Sequence, residues 1–176
     1  MKFFLENRVR AGIILAVVIL IAPVFGVWRS VAVQAGRVER EFTKEDEFGE
    51  SVSSTLKDLA YHTKAFAAAY EAVLEADDSS AALSRAAEDL EEGGNEPTSL
   101  ESEFTIIQRS TEVLYNQLLV SGEYKDDVRS AHMALESDLS ILRKYDDYNA
   151  AASRYNEVIS EFPASLIAED AAIVFD

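Results

Sequence analysis

Residues 148–168 read YNAAASRYNEVISEFPASLIA, and the spacing within them decides the fold. Tyr148, Tyr155 and Phe162 recur every seven residues. Seven residues bring an α-helix back to within roughly 20° of its starting direction, so the three aromatics form one stripe about 21 Å long. Ala151, Ala152, Val158 and Ile159 stand three or four residues from these rings and widen the stripe into an apolar face. Such a face predicts a helix packed on other helices. Pro163 predicts the stop at Phe162, because proline has no N–H to donate and disfavours helical geometry in the residue before it.

The same period runs outward from the stripe. Val128, Ala131, Leu135, Leu139, Leu142 and Tyr145 lead into it, so one long helix is predicted over 124–162. Leu100, Phe104, Ile107, Thr111, Leu114 and Leu118 predict a helix that begins at the capping-box spacing of Thr98 and Glu101 and stops at Ser121 and Gly122. Leu83, Ala87 and Leu90 mark a short helix over 81–92, closed by Gly93 and Gly94. Phe48, Val52, Leu56, Leu59, Phe66, Tyr70 and Val73 predict a further long helix, started near Thr43 and Asp46 and broken at Asp77 and Asp78. Leu166, Ile167, Ile173, Val174 and Phe175 predict a short tail that folds back and docks, and no strand pattern competes outside the uncharged N-terminal run. Short connections force neighbouring helices to alternate in direction, so the expected fold is all-α: an antiparallel, coiled-coil-like bundle of three long helices plus a short one.

Ahead of the bundle lies a basic tail, 1–10, with Lys2, Arg8 and Arg10, and then the uncharged run 11–28. Eighteen apolar residues meet the lower limit for a membrane-spanning helix. The run therefore predicts a transmembrane anchor over 11–35, with Trp28 and Arg29 at the interface, and an integral, single-pass protein. A cleaved signal peptide ending at Ala35 is the rival; the length of the run and Arg29 behind it favour an uncleaved anchor. Basic residues stand on both sides of the run, so they do not orient it.

Residues 36–176 form the remaining, acidic domain. From residue 41 onward the chain holds 10 Lys/Arg and 30 Asp/Glu, a balance of 10 − 30 = −20. That field repels phosphate backbones and anionic lipid surfaces, which excludes nucleic-acid binding and leaves basic partners open. The acidic residues also serve to solvate the outer faces of the helices. Cysteine is absent, which removes disulfides and thiolate chemistry.

The series Tyr148-Asn149, Tyr155-Asn156, Phe162-Pro163 and Leu166-Ile167-Ala168 resembles the C-terminal signature of the LemA family. Lys64-Ala65-Phe66-Ala67 resembles a segment of that family's first long helix, and Glu123-Tyr124 one of its turns. The tryptophan segment early in that helix is absent, and the glycine-aromatic ending is replaced by 169–176, so the resemblance is to a divergent member. It implies a single-pass protein of a prokaryotic cytoplasmic membrane whose helical domain has no assigned reaction.

Tyr115-Asn116 is a third Tyr-Asn pair, in a chain with five asparagines. Two readings attach to Tyr115, Asn116, Tyr148, Asn149, Tyr155, Asn156, Phe162 and Pro163. In one, the tyrosines pack into the bundle and the asparagines bond between helices and fix their register. In the other, Tyr115, Tyr148 and Tyr155 line one groove that recognises a helix or peptide. Enzyme chemistry has no residues to rest on. His62 and His132 lack the Glu-x-x-His pattern of di-metal bundles, and Asp58 four residues before His62 is an ordinary surface pairing, so no metal, cofactor or small-molecule substrate is expected. The expectation is a membrane-anchored scaffold or protein-interaction module with a protein partner or self-association. The alternative is a ligand-sensing four-helix domain working with a separate transducing subunit.

Overall fold

The structure, a computed structural model, describes residues 2–93, 97–98, 100–161, 164–166 and 170–175. Every regular element among them is helical: α1 (Lys2–Thr43), α2 (Val52–Glu71), α3 (Asp78–Gly93), α4 (Glu101–Ser121), α5 (Asp126–Leu142) and α6 (Asp146–Ser160), followed by a 3-10 turn at Ala164–Leu166. Phe162 and Pro163 lie outside the described residues, and so does the helix stop expected there.

Two antiparallel pairs make the frame. α2 runs against α5, as the contacts Thr55 to Tyr145, His62 to Asp138 and Phe66 to His132 require. α1 runs against α6, with Phe42 on Tyr148 and Lys44 on Asp147. α3 folds back along α2, placing Ser80 on Glu71 and Lys64 on Glu91, and α4 returns beside α3. The common core is leucine-rich: Leu56, Leu59, Leu83, Leu90, Leu114, Leu118 and Leu135 are fully buried. Each of these is worth about 1.5–3 kcal/mol over its exposed state.

The structure departs from the sequence expectation at four places. First, the region 124–162 is two helices, parted at 143–145 without glycine or proline. Arg143 and Lys144 close α5 while Asp146 and Asp147 open α6, so cations meet the carbonyl end of one helix and carboxylates the amide end of the next. The break turns the Tyr145 hydroxyl onto Thr55 at 3.0 Å. With α1 and this division, three long helices and a short one become six helices.

Second, the helix expected to begin near Thr43 and Asp46 begins at Val52, which leaves Phe48 in the preceding turn and exposed rather than on the apolar face. Ser51 caps it through a reciprocal bond with Ser54, and Asp46 instead accepts the amides of Phe48 and Glu50 in the preceding turn. Third, Leu100 rather than Thr98 stands at the N-cap of α4, with no side-chain cap. The stop of α4 is as expected: Gly122 is left-handed, and the amide of Glu123 reaches back to the Leu118 carbonyl at 3.1 Å.

The fourth correction concerns the anchor. Among the described residues, no helix is long and apolar enough to cross a membrane. The uncharged run lies inside α1, which continues past it to Thr43. From Arg29 onward the helix carries charge at Arg29, Arg37, Glu39, Arg40 and Glu41. The picture of a transmembrane helix over 11–35 beneath a bundle is therefore replaced by a long first helix that enters the core. Val31, Ala35, Val38 and Phe42, spaced four, three and four, pack there; Val38 and Phe42 are buried in a stretch whose composition reads as polar.

Candidate functional site

Tyr148, Asn149, Tyr155 and Asn156 of α6 converge on one object, the segment 170–175. Asn156 treats it as a neighbouring strand would. Its side-chain amide donates to the Ala172 carbonyl at 2.7 Å, and its side-chain oxygen accepts the Ala172 amide at 2.8 Å. Asn149, two turns earlier on the same face, accepts the amide of Phe175 at 3.0 Å. The hydroxyl of Tyr148 donates to the Ile173 carbonyl at 3.0 Å, and that of Tyr155 to the Asp170 carbonyl at 3.3 Å. On the far side, the Ile173 amide donates to the Pro97 carbonyl at 3.0 Å. Every one of these bonds ends on main-chain atoms of the segment.

Apolar contacts complete the clamp. Tyr148 is 1% exposed and packs between Phe42 of α1 and Phe175, with ring centroids 5.8 and 5.6 Å away. Phe175 also meets Phe104 of α4 edge-on at 5.1 Å. Three helices distant in sequence are thus joined through one short segment. Burial pushes the Tyr148 hydroxyl well above the ordinary tyrosine range, and it does the same more mildly at Tyr155, where Asp170 adds to it. Both hydroxyls remain donors at any physiological pH.

The packing reading holds for Tyr148 and Tyr155, which are buried, but not for the asparagines beside them. Asn149 and Asn156 bond to the tail rather than between helices. Nor do the three tyrosines share a groove. Tyr115 stacks on His132 with centroids 4.7 Å apart and planes 9° from parallel, and it meets Tyr124 edge-on at 5.2 Å. Tyr124 and His132 share a hydrogen bond of 2.9 Å, and the Phe66 ring meets the imidazole at a tilt, 5.2 Å between centroids. Burial lowers the His132 pKa, against a smaller upward pull from Glu136. Asn116 is exposed and takes no part in this cluster.

The other histidine also has a partner that spacing does not reveal. His62 pairs with Asp138 of α5 across the helix interface, Nδ1 to Oδ2 at 2.6 Å, rather than with Asp58. Burial raises the Asp138 pKa and outweighs the lowering effect of His62. Among the described residues no group of three metal-ligating side chains comes together.

The exposed surface of α4 is apolar at Ile106, Val113 and Val120, again seven residues apart, with Leu119 beside the last. Val120 is 91% exposed, so the core leaves this face uncovered. A cleft flanks each end of the stripe. One, of about 620 Å³, is lined by Glu101, Thr105, Ile106 and Asp170 among others. The second, of about 520 Å³, is lined by Tyr70, Leu74, Glu75, Asn116 and Val120 among others. The floor of the second is held by a polar network in which Tyr70 donates to Gln117, and Gln117 donates to Asp77 at 3.0 Å. Asp77 is otherwise occupied as the cap of α3, accepting the amides of Ser79 and Ser80 at 2.9 and 2.8 Å.

The signal for this face is in the sequence as a second seven-residue repeat. Period alone does not separate it from the buried repeat of Phe104, Thr111 and Leu118 on the same helix. No protein-family model, no curated protein and no solved structure matches the chain.

Proposed function

We propose that this chain is a helical scaffold acting as a protein-interaction module of LemA type, with the outer face of α4 as its contact surface. The observation that carries this reading is the uncovered stripe of Ile106, Val113 and Val120. A helix whose opposite face is already satisfied by α3 and the core gains nothing from keeping three large apolar side chains in water at one period. A partner laid on them removes that area from water at about 25 cal/mol per Å². The tail clamp supports the reading from the other side. It fixes the start of α4 to α6 and α1 through Phe104, Phe175 and Tyr148, so the face is presented on a rigid body and little ordering cost falls on binding. The resemblance of the clamp residues Tyr148, Asn149, Tyr155 and Asn156 to the LemA signature supports the type.

The experiment is site-specific photocrosslinking in the native cell, with the photoreactive residue at Val113 and, as a control, at exposed Met133 of α5. A reproducible protein crosslink from 113 that is missing from 133 is the expected result. Equal or no crosslinking from the two positions overturns the reading.

A further inference from the structure

Resting on that reading, we infer that the partner on α4 is a basic amphipathic helix of about three heptads. Three features of the surface select it. The first is period: Ile106, Val113 and Val120 span 14 residues of a continuous helix, about 21 Å. An α-helix laid along α4 repeats its apolar side chains at the same interval and interdigitates with them, and the clefts at the two ends receive its terminal anchors.

The second feature is charge. Glu101 and Asp170 line the cleft at the Ile106 end and Glu75 the cleft at the Val120 end. Each end of the track therefore favours a lysine or arginine beside the anchor. The third feature decides between occupants. A second copy of this chain brings the same balance of 10 − 30 = −20 over residues 41–176, so two copies meeting here repel, whereas a cationic helix is drawn in. Arg109, exposed midway between Ile106 and Val113, adds direction: it favours an acidic or neutral position at the centre of the partner and basic ones at its ends.

The test uses the full chain and synthetic peptides of about 21 residues, three heptads long. One has leucine at the heptad core positions and lysine at the flanks. A second has the same composition with the heptads scrambled, and a third has glutamate in place of lysine. Fluorescence anisotropy is expected to rank the heptad lysine peptide at least about tenfold tighter than either control, a difference of about 1.4 kcal/mol.

The decisive variant is Val113→Glu with Val120→Glu, its fold checked by circular dichroism. Docking on the stripe predicts at least tenfold weaker binding of the heptad lysine peptide. Attraction by charge alone predicts the opposite sign, because the variant is more acidic, and tighter binding therefore overturns the inference. Equal binding of the heptad and scrambled peptides overturns it as well. These outcomes separate from the photocrosslinking result. A native partner crosslinked at 113 through an acidic or non-helical segment keeps the scaffold and removes the basic helix, while peptide docking without any native crosslink does the reverse.

Discussion

Replacing Asn156 by alanine cuts both bonds that hold Ala172, at 2.7 and 2.8 Å, and leaves the rings of Tyr148 and Phe175 in place. Each bond contributes about 0.5–1.5 kcal/mol net, and Asn156 is half-buried, so water recovers part of the loss. The expected destabilisation is about 1–2 kcal/mol. In urea, where a domain of this size changes by about 1–3 kcal/mol per molar, the midpoint falls by roughly 0.5–1 M. Hydrogen exchange should localise the effect, with the amides of Ala172 and Phe175 losing protection before those of the helices. Asn156→Asp is expected to be worse than alanine. It keeps the acceptor for the Ala172 amide but sets a carboxylate oxygen against the Ala172 carbonyl, where a donor now stands. If the alanine variant unfolds at the wild-type midpoint with unchanged exchange at Ala172, or if aspartate is the milder change, the clamp carries no energy and the reasoning fails.

Three further expectations are independent of the clamp amide. Tyr148→Ala removes a fully buried ring and should lower stability by about 3–5 kcal/mol, whereas Tyr148→Phe keeps the ring and loses one hydroxyl bond, about 1 kcal/mol; denaturant titration of the pair separates packing from hydrogen bonding. Ser51→Ala, at the cap of α2, should cost about 1 kcal/mol, and Ser51→Asn should recover most of it. Because burial depresses the His132 pKa, the unfolded chain takes up this proton before the folded one does. Stability from His132 is therefore complete above the unfolded value near 6.5 and declines as pH falls from there through the folded pKa. His132→Phe keeps a ring against Tyr115 and should remove that step, measured as the difference in melting temperature between pH 7.5 and 5.5 for the two proteins.

The stretch 148–168 made helices and their packing face legible, because a seven-residue repeat of aromatics leaves few other structures. Tyr148 and Tyr155 are indeed buried, and Leu56, Leu83, Leu114 and Leu135 fall inside as their spacing demands. The break at 143–145 was not legible by the usual punctuation, since no glycine or proline marks it. Its trace is the step from Arg143-Lys144 to Asp146-Asp147, a pattern that an unbroken helix also tolerates on its surface. Phe42 and Val38 are obscured for a related reason: each sits alone among polar and charged neighbours, and only the spacing from Val31 and Ala35 reveals a face. The uncharged run 11–28 shows the limit from the other direction. Its composition reads as a membrane segment, yet among the described residues no helix meets that requirement. The apolar residues Ile173 and Phe175 mark a docked tail and are buried, but the bonds that clamp it were out of reach, because the partners of Asn149 and Asn156 are main-chain atoms of 172 and 175, which leave no mark in a sequence.

Two repeats of the same period therefore have opposite fates in this protein. On α6, Tyr148 and Tyr155 point at α1 and at the tail; on α4, Ile106, Val113 and Val120 point at solvent. What distinguishes them is the remainder of each helix. α6 has one apolar face, filled out by Ala151 and Ala152, both buried, so its aromatics have only one way to leave water. α4 has two, because Phe104, Ile107, Thr111, Leu114 and Leu118 already make a complete buried face, and the residues at 106, 113 and 120 are surplus to it. A helix with more apolar surface than its own bundle can cover has a second neighbour to satisfy. Polar substitution at Val113 and Val120 should then leave the melting temperature within the range of ordinary surface changes, about ±0.5 kcal/mol, while partner binding is lost. Had the stripe been a packing face the same substitutions would unfold the bundle, so a fall of several kilocalories would remove α4 as a contact surface and return it to the core.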